Sequence, residues 1–215
     1  MDFQDVVTQR RAINFFDPDR GVDTDLIRRM IEMASKVPSS FNLQPWNVIL
    51  VTDPKEKQIL RKLAWDQPKV SEAPVVMIVL ADRDGWKAGH PTAERNFQEM
   101  VHAGSMKPEQ KDWFHSACTS LYGQTPEKQQ AFANKNTGFF AMTLMFAAKH
   151  LGLDTHPMDG FDIEGVRKAF AIPEHFWIPL LLAVGYPKPD FNPLPPKWRK
   201  SYEEIVVRFA APSLP

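Results

Sequence analysis

The stretch Thr137–Ala148 constrains this chain more than any other. It reads Thr-Gly-Phe-Phe-Ala-Met-Thr-Leu-Met-Phe-Ala-Ala. It forms the second half of a helix that Thr125-Pro126-Glu127 opens and Gly152 closes. A helix that is apolar nearly all round is buried on every side. In a chain of 215 residues that points to burial against a second copy of the protein. The most apolar part, Phe139–Ala148, is too short to span a bilayer.

Composition narrows the remaining classes. Hydrophobic residues make up 43% and charged residues 24%, enough to bury a sizeable core and to exclude disorder for most of the chain. Lys+Arg and Asp+Glu both number 26, so the basic footprint of a nucleic-acid binder is missing. The N-terminus Met1-Asp2-Phe3-Gln4-Asp5 has neither a basic nor an apolar signal region. The single cysteine, Cys118, cannot pair internally and suits a reducing compartment. The expectation is a soluble cytoplasmic protein with no nucleic-acid or membrane partner.

The expected elements mix helices and strands without βαβ alternation. A short helix precedes Arg10-Arg11. Thr24 caps a second helix carrying the stripe Leu26, Ile27, Met30, Ile31, Ala34, and Pro38 stops it. Trp46–Val51, Pro74–Leu80 and Ile178–Val184 read as strands. Asp53-Pro54-Lys55-Glu56 and Asp162 start helices, and Pro91 and Pro108 start two more. Nine prolines from Pro173 onward keep the C-terminal part from being mostly helix. Glu204–Phe209 has strand composition after a proline-rich arm, as if reaching away from its own core. The predicted fold class is α+β, a mixed three-layer α/β arrangement.

Several catalytic motifs are absent: GxGxxG, GxxxxGK[ST], GxSxG and HExxH do not occur. Glu99-x-x-His102 lacks the second copy that a di-iron bundle needs. His115-x-x-Cys118 shares one helix face, and a lone cysteine on an apolar stripe reads as inert core. Arg10-Arg11 can satisfy helix-terminal carbonyls or clamp a phosphate. Lys197-x-Arg199-Lys200 is a second basic cluster, and if the two met they would form a site for a phosphate dianion. Between Pro38 and Pro45 the loop carries Ser39, Ser40, Asn42 and Gln44. It reads either as a capped turn or as a reader of a polar heterocycle's edge. Pro157-Met158-Asp159-Gly160-Phe161 is a turn in which Gly160 lets the backbone approach a ligand.

In order along the chain, these segments resemble the nitroreductase family of FMN-dependent oxidoreductases. The pattern is Arg10-Arg11 with Phe16-Asp17, then Pro38-Ser39-Ser40-x-Asn42-x-Gln44-Pro45-Trp46, then Gln67-x-x-Val70-x-x-Ala73-Pro74-Val75-Val76. Gly152-Leu153, Pro157-Met158-x-Gly160-Phe161, Gly185-Tyr186-Pro187 and Lys197-x-Arg199-Lys200 complete it. The resemblance implies a single domain over 1–215 with a central, mostly antiparallel sheet flanked by helices. It implies an intertwined homodimer whose C-terminal arm, about 186–215, crosses to the partner, and a variable cap at about 90–123.

The resemblance also implies FMN as cofactor, NAD(P)H as reductant and ping-pong hydride transfer to an electrophile such as a nitroaromatic or quinone. Arg10, Arg11, Lys197 and Arg199 would hold the phosphate, and Arg10 and Arg11 could also meet the pyrimidine edge. Pro38, Ser39, Ser40 and Asn42 would come from the other subunit. Gln67 and Lys69 would contact the ring, and the backbone of Pro157, Met158, Asp159 and Gly160 would approach it. Phe41, Trp113 and Phe114 are candidates for stacking on the acceptor. No side chain is expected as a general acid, and no metal. Two residues depart from the family: Ala12 stands where it has Ser, and Asn14 where it has a longer basic or polar side chain. The lost hydroxyl removes a hydrogen bond worth about 1 kcal/mol, and Asn14 removes a positive charge, so weaker flavin binding is expected. A dehalogenase, an enoate or semialdehyde reductase, a flavin-cleaving enzyme or a non-catalytic flavin-binding protein on the same scaffold are the alternatives.

Overall fold

A computed structural model describes residues 1–209 of the chain. Helix α1, Phe3–Gln9, starts where the Asp2 carboxylate accepts from the Asp5 amide at 2.8 Å and ends at extended Arg10. Helix α2, Thr24–Ala34, is capped by Asp23 rather than by Thr24. A carboxylate there meets the helix dipole as well as the free amides. Strand β1, Trp46–Val51, leads into α3, Pro54–Leu63, whose cap Asp53 accepts from Lys55 and Glu56 as the sequence predicts. A short α4, Pro68–Glu72, precedes β2, Val75–Asp82.

The next part carries α5, Pro91–His102, a 3-10 turn at Pro108–Gln110, and α6, Lys111–Cys118, which runs into a π turn at Thr119–Gly123. Helix α7, Pro126–His150, follows with Thr125 as its cap. Strand β3, Asp154–Met158, helix α8, Ile163–Ala169, and strand β4, Phe176–Gly185, complete the layers. A short α9 spans Tyr202–Ile205.

The four strands form one antiparallel sheet in the order β1-β2-β4-β3. Val75, Met77 and Val79 of β2 face Leu182 and Val184 of β4, and this side packs on α2 and α7. Val76, Ile78 and Leu80 face the other way, with Leu181 and Ala183, onto Leu60 of α3, Val166 of α8, Ile13 and Phe16. Helices thus cover both faces, and every residue of β2 is buried. That is why β2 reads as an unbroken apolar run rather than an alternating one. A third cluster, with Trp86, Phe97, Phe114, Cys118 and Phe132, holds α5 and α6 against the first half of α7.

Two expectations need correction. Pro157 and Met158 end edge strand β3, where Met158 pairs with Leu181, instead of lying in a turn. An edge strand tolerates proline because its missing N–H faces away from the ladder. Helix α7 packs Phe140, Leu144 and Ala148 on the sheet, while Phe139 stays 48% exposed within one chain. Glu204–Phe209 forms no strand. Ser201 and Glu204 make a reciprocal cap that starts α9 instead. The remainder of the expected arm, residues 210–215, lies outside the described residues.

Candidate functional site

The segment after α1 is tied along β3. Ala12 bridges Thr155 in parallel, and the Ile13 amide donates to the Thr155 carbonyl at 3.2 Å. This sets Arg10 and Arg11 at one wall of a cleft of about 1140 Å3, with Ala12 and Asn14 beside them. The arm after β4 lines the same cleft and contributes Lys197 and Arg199. The two basic clusters separated along the sequence therefore meet. With Lys69 and Lys188, the cleft holds six cationic side chains against the carboxylates of Asp17, Asp19 and Asp190, in a chain of zero net charge. Lys188 is paired with Glu72 at 3.1 Å. Burial lowers the Arg10 guanidinium below its ordinary value, and Arg199 and Arg11 lower it further, with Asp154 opposing. Like charges held together are costly until an anion joins them.

Lys69 lies deeper. Its Nζ donates to Gln67 Oε1 at 3.2 Å and lies 3.2 Å from His156 Nε2. Burial lowers the Lys69 ammonium. The His156 Nδ1 lies 2.8 Å from the Ile13 carbonyl. Burial, then Lys69, hold His156 below the ordinary histidine value, with a smaller push from Lys197 and an opposing one from the Ile13 carbonyl. Sequence reasoning missed His156. Its signal is strand alternation: Thr155 faces the interior, so His156 faces the cleft. That signal disappears when β3 goes unrecognised.

Gln67 donates to the carbonyls of Gly160 at 2.8 Å and Ala64 at 3.0 Å. A Cβ on Gly160 would meet the Trp65 indole at 2.8 Å. Trp65 and Asp66 both take left-handed φ angles, 54° and 55°, and present an indole that is 74% exposed. The Asp66 amide bonds to the Arg61 carbonyl, and its carboxylate pairs with Arg61 Nε at 2.7 Å. Among the described residues the amides of Asp159 and Gly160 meet no acceptor. Gln67, Asp159 and Gly160 do not line the cleft themselves, and the hydrogen bonds from Lys69 to Gln67 and from Gln67 to the Gly160 carbonyl link them to it. A cationic cleft linked in this way to two free backbone donors fits a planar, carbonyl-bearing ligand with an anionic tail. Met158 offers only its backbone, because its side chain is buried in the core. Pro157 is half-buried beside it.

The loop from Pro38 to Asn42 does not reach this cleft within one chain: none of its residues lines it. Its polar groups are held from behind. Asn136 Oδ1 accepts from the Ser40 amide at 3.0 Å and lies 3.3 Å from the Ser40 hydroxyl. The Ser39 hydroxyl accepts from the Gln44 amide at 2.9 Å. Asn96 accepts from Asn42 Nδ2 at 3.0 Å and donates to the Phe41 carbonyl at 2.6 Å. Phe41, Asn42 and Gln44 are all left-handed, with φ of 49°, 55° and 45°.

Of the aromatic candidates, Trp113 is exposed, and Phe41 meets Phe114 and Tyr122 edge-on. Phe114 is fully buried between Phe41 and Phe97, so it is core rather than a stacking surface. Cys118 is buried and its thiol is pushed up to about 11, as inert core predicts. Glu99 and His102 are exposed, and no metal-ligating cluster occurs among the described residues. No helix among them is long and apolar enough to cross a membrane.

Comparison with known proteins gives a consistent result. The model of the nitroreductase family matches residues 7–186. An NADH dehydrogenase of Thermus thermophilus is 34% identical over 210 residues, covering 96% of each chain. Protein DrgA of Synechocystis is 31% identical over 185 residues, covering 86% of this chain and 84% of its own. A protein of Exiguobacterium sibiricum, solved in complex with FMN, superposes with a TM-score of 0.82 at 25% identity over 96% of each chain.

Proposed function

The chain belongs to the nitroreductase family, and on that premise we propose that it transfers hydride from NAD(P)H to a nitroaromatic or quinone by a ping-pong mechanism. It is an NAD(P)H-linked oxidoreductase with FMN as cofactor. The observation that carries the reading is the meeting of Arg10-Arg11 with Lys197 and Arg199 around one cleft, beside the free amides of Asp159 and Gly160.

Bound FMN supplies the hydride carrier; the protein supplies position and charge. Arg10, Arg11, Lys197 and Arg199 would hold its phosphate by charge-assisted hydrogen bonds. Ala12 and Asn14 would line the adjoining wall. Gln67 and Lys69 would meet the ring edge. The amides of Asp159 and Gly160 would donate where negative charge gathers on reduction, an effect of the oxyanion-hole kind. No side chain is needed as a general acid, and Phe41 and Trp113 are the aromatics offered to the acceptor.

The loop of Pro38, Ser39, Ser40 and Asn42 would complete the site from a second subunit. Its distance from the cleft of its own chain supports that reading. So does the apolar surface that one chain leaves open: Phe139 on α7, and Leu194, Trp198, Ile205 and Phe209 on the arm. Exposed apolar surface on this scale marks an interface. The unit proposed is therefore a homodimer with exchanged arms. NAD(P)H dependence and a single buried thiol support a cytoplasmic location.

The test is anaerobic reduction. Purified protein with bound FMN should bleach on adding NADH or NADPH and recover colour on adding a quinone. Steady-state rates at varied NAD(P)H and quinone should give parallel double-reciprocal lines. Intersecting lines would replace ping-pong by a ternary complex, and a flavin that never bleaches would overturn the reductase reading.

A further inference from the structure

One continuous polar chain runs from Ile13 through His156 and Lys69, which line the cleft, to Gln67 and Gly160, which do not, and its proton positions are fixed by chemistry. The Ile13 carbonyl can only accept, so His156 Nδ1, at 2.8 Å, must carry the proton. Lys69 can only donate, so His156 Nε2, at 3.2 Å, must be bare. The Gln67 oxygen faces Lys69 at 3.2 Å, which turns its NH2 toward the Gly160 carbonyl at 2.8 Å. Each member thus sets the next, from Ile13 beside the basic cluster to Gly160 beside the free amides. Two of the three Lys69 N–H groups are used within the chain, which leaves one for a ligand.

We propose that His156 is a positioning residue: it fixes Lys69 against Gln67, and through Gln67 the Gly160 peptide, so that one polar chain joins the phosphate end of the cleft to the flavin-ring end. The role toward flavin rests on the function proposed above; the chain itself does not. A protonated His156 would turn a second N–H toward the Lys69 ammonium and break the link. The cations facing His156 are Lys69 from α4 and Lys197 from the arm. Together with burial they keep the ring neutral at neutral pH.

Two measurements on the full chain separate the claims. The first needs no flavin. NMR of the His156 ring should show the neutral Nδ1–H tautomer at pH 7, titrating below the ordinary value of 6.5. In Lys69→Met the titration should move up toward that value. A ring that titrates alike in both proteins overturns the proposal.

The second is FMN titration of flavin-free protein, followed by fluorescence quenching. His156→Leu should weaken FMN about ten-fold, the size of one hydrogen bond to a charged group. His156→Gln, whose neutral amide offers a donor and an acceptor as the imidazole does, should restore binding. In a Lys69→Met background, His156→Leu should cost nothing further. An equal loss in both backgrounds overturns the proposal, since the effect would then bypass Lys69. Wild-type protein that shows the chain by NMR yet takes up no FMN would overturn the cofactor reading and the role of His156 with it, and leave the hydrogen-bond chain established.

Discussion

At the scale of single residues, charge and burial decide most outcomes. Arg199 reaches the cleft on an extended arm, and its guanidinium donates to the carbonyls of Lys197 and Trp198. Arg199→Ala should therefore leave the melting temperature nearly unchanged while weakening FMN by about 1.5–3 kcal/mol, the worth of a hydrogen bond to a charged group. Titration at rising salt checks it, because the loss should shrink as screening grows. Cys118 should resist thiol reagents at pH 8 in the folded protein, since its value of about 11 leaves almost no thiolate. It should react fully once unfolded, which a timed labelling assay would show. His156 adds a pH dependence to stability. Its folded value lies below its unfolded one, so the unfolded state binds more protons. The contribution is complete above the ordinary value of 6.5 and is lost as pH falls below it. Melting curves of the wild type and His156→Gln should diverge only on that acid side. The basic pairs and the unusual Ala12 and Asn14 were legible in the sequence. His156 was not, because nothing about one histidine between Thr155 and Pro157 signals a floor position until its strand is known.

At the scale of elements, capped starts were the most legible features. Asp53-Pro54, Thr125-Pro126 and Asp162 each begin a helix where the side-chain oxygen predicts, because capping is a contact among near neighbours. Strand β3 was hidden for the opposite reason. It is short, half polar and contains Pro157, and only pairing with β4 makes it a strand. The left-handed pair Trp65-Asp66 was equally hidden, since the Arg61 contacts that hold it arise within the fold. Gly123, which ends the π turn at Thr119–Gly123, has a long-range reason to be glycine: a Cβ there would overlap the ring of buried Trp86. Gly123→Ala should destabilise the protein by about 1–3 kcal/mol through overpacking, measurable by urea denaturation. A comparable change at Gly21, which has open space around it, should cost far less.

At the scale of the whole molecule, one chain presents two unfinished surfaces. Loop 38–42 lies away from the cleft of its own chain, α7 leaves Phe139 half-exposed, and the arm leaves Leu194 and Trp198 exposed. Phe139→Asp should shift sedimentation from dimer to monomer and abolish FMN uptake together, whereas a monomer that keeps its flavin would refute completion in trans. The all-round apolar half of α7 is the reason this much was legible: no single sheet can cover it. Where the arm goes was not legible, because strand composition at Val206–Phe209 has no meaning without an edge to pair with.

The layering also has a consequence for redesign. Helices α5 and α6 join the layers through a third hydrophobic cluster, which they share with Leu43, Ala81 of β2, Trp86 and Phe132 of α7. Asn96 bonds α5 to the loop of Phe41 and Asn42 through its side chain, accepting from Asn42 and donating to the Phe41 carbonyl. Exchange of residues 91–123 as one unit is therefore a direct test of what this region contributes. A graft from a relative should change acceptor preference and leave the basic end of the cleft in place, provided that it brings an asparagine at 96, aromatic rings at 97, 114 and 122, and a glycine at 123.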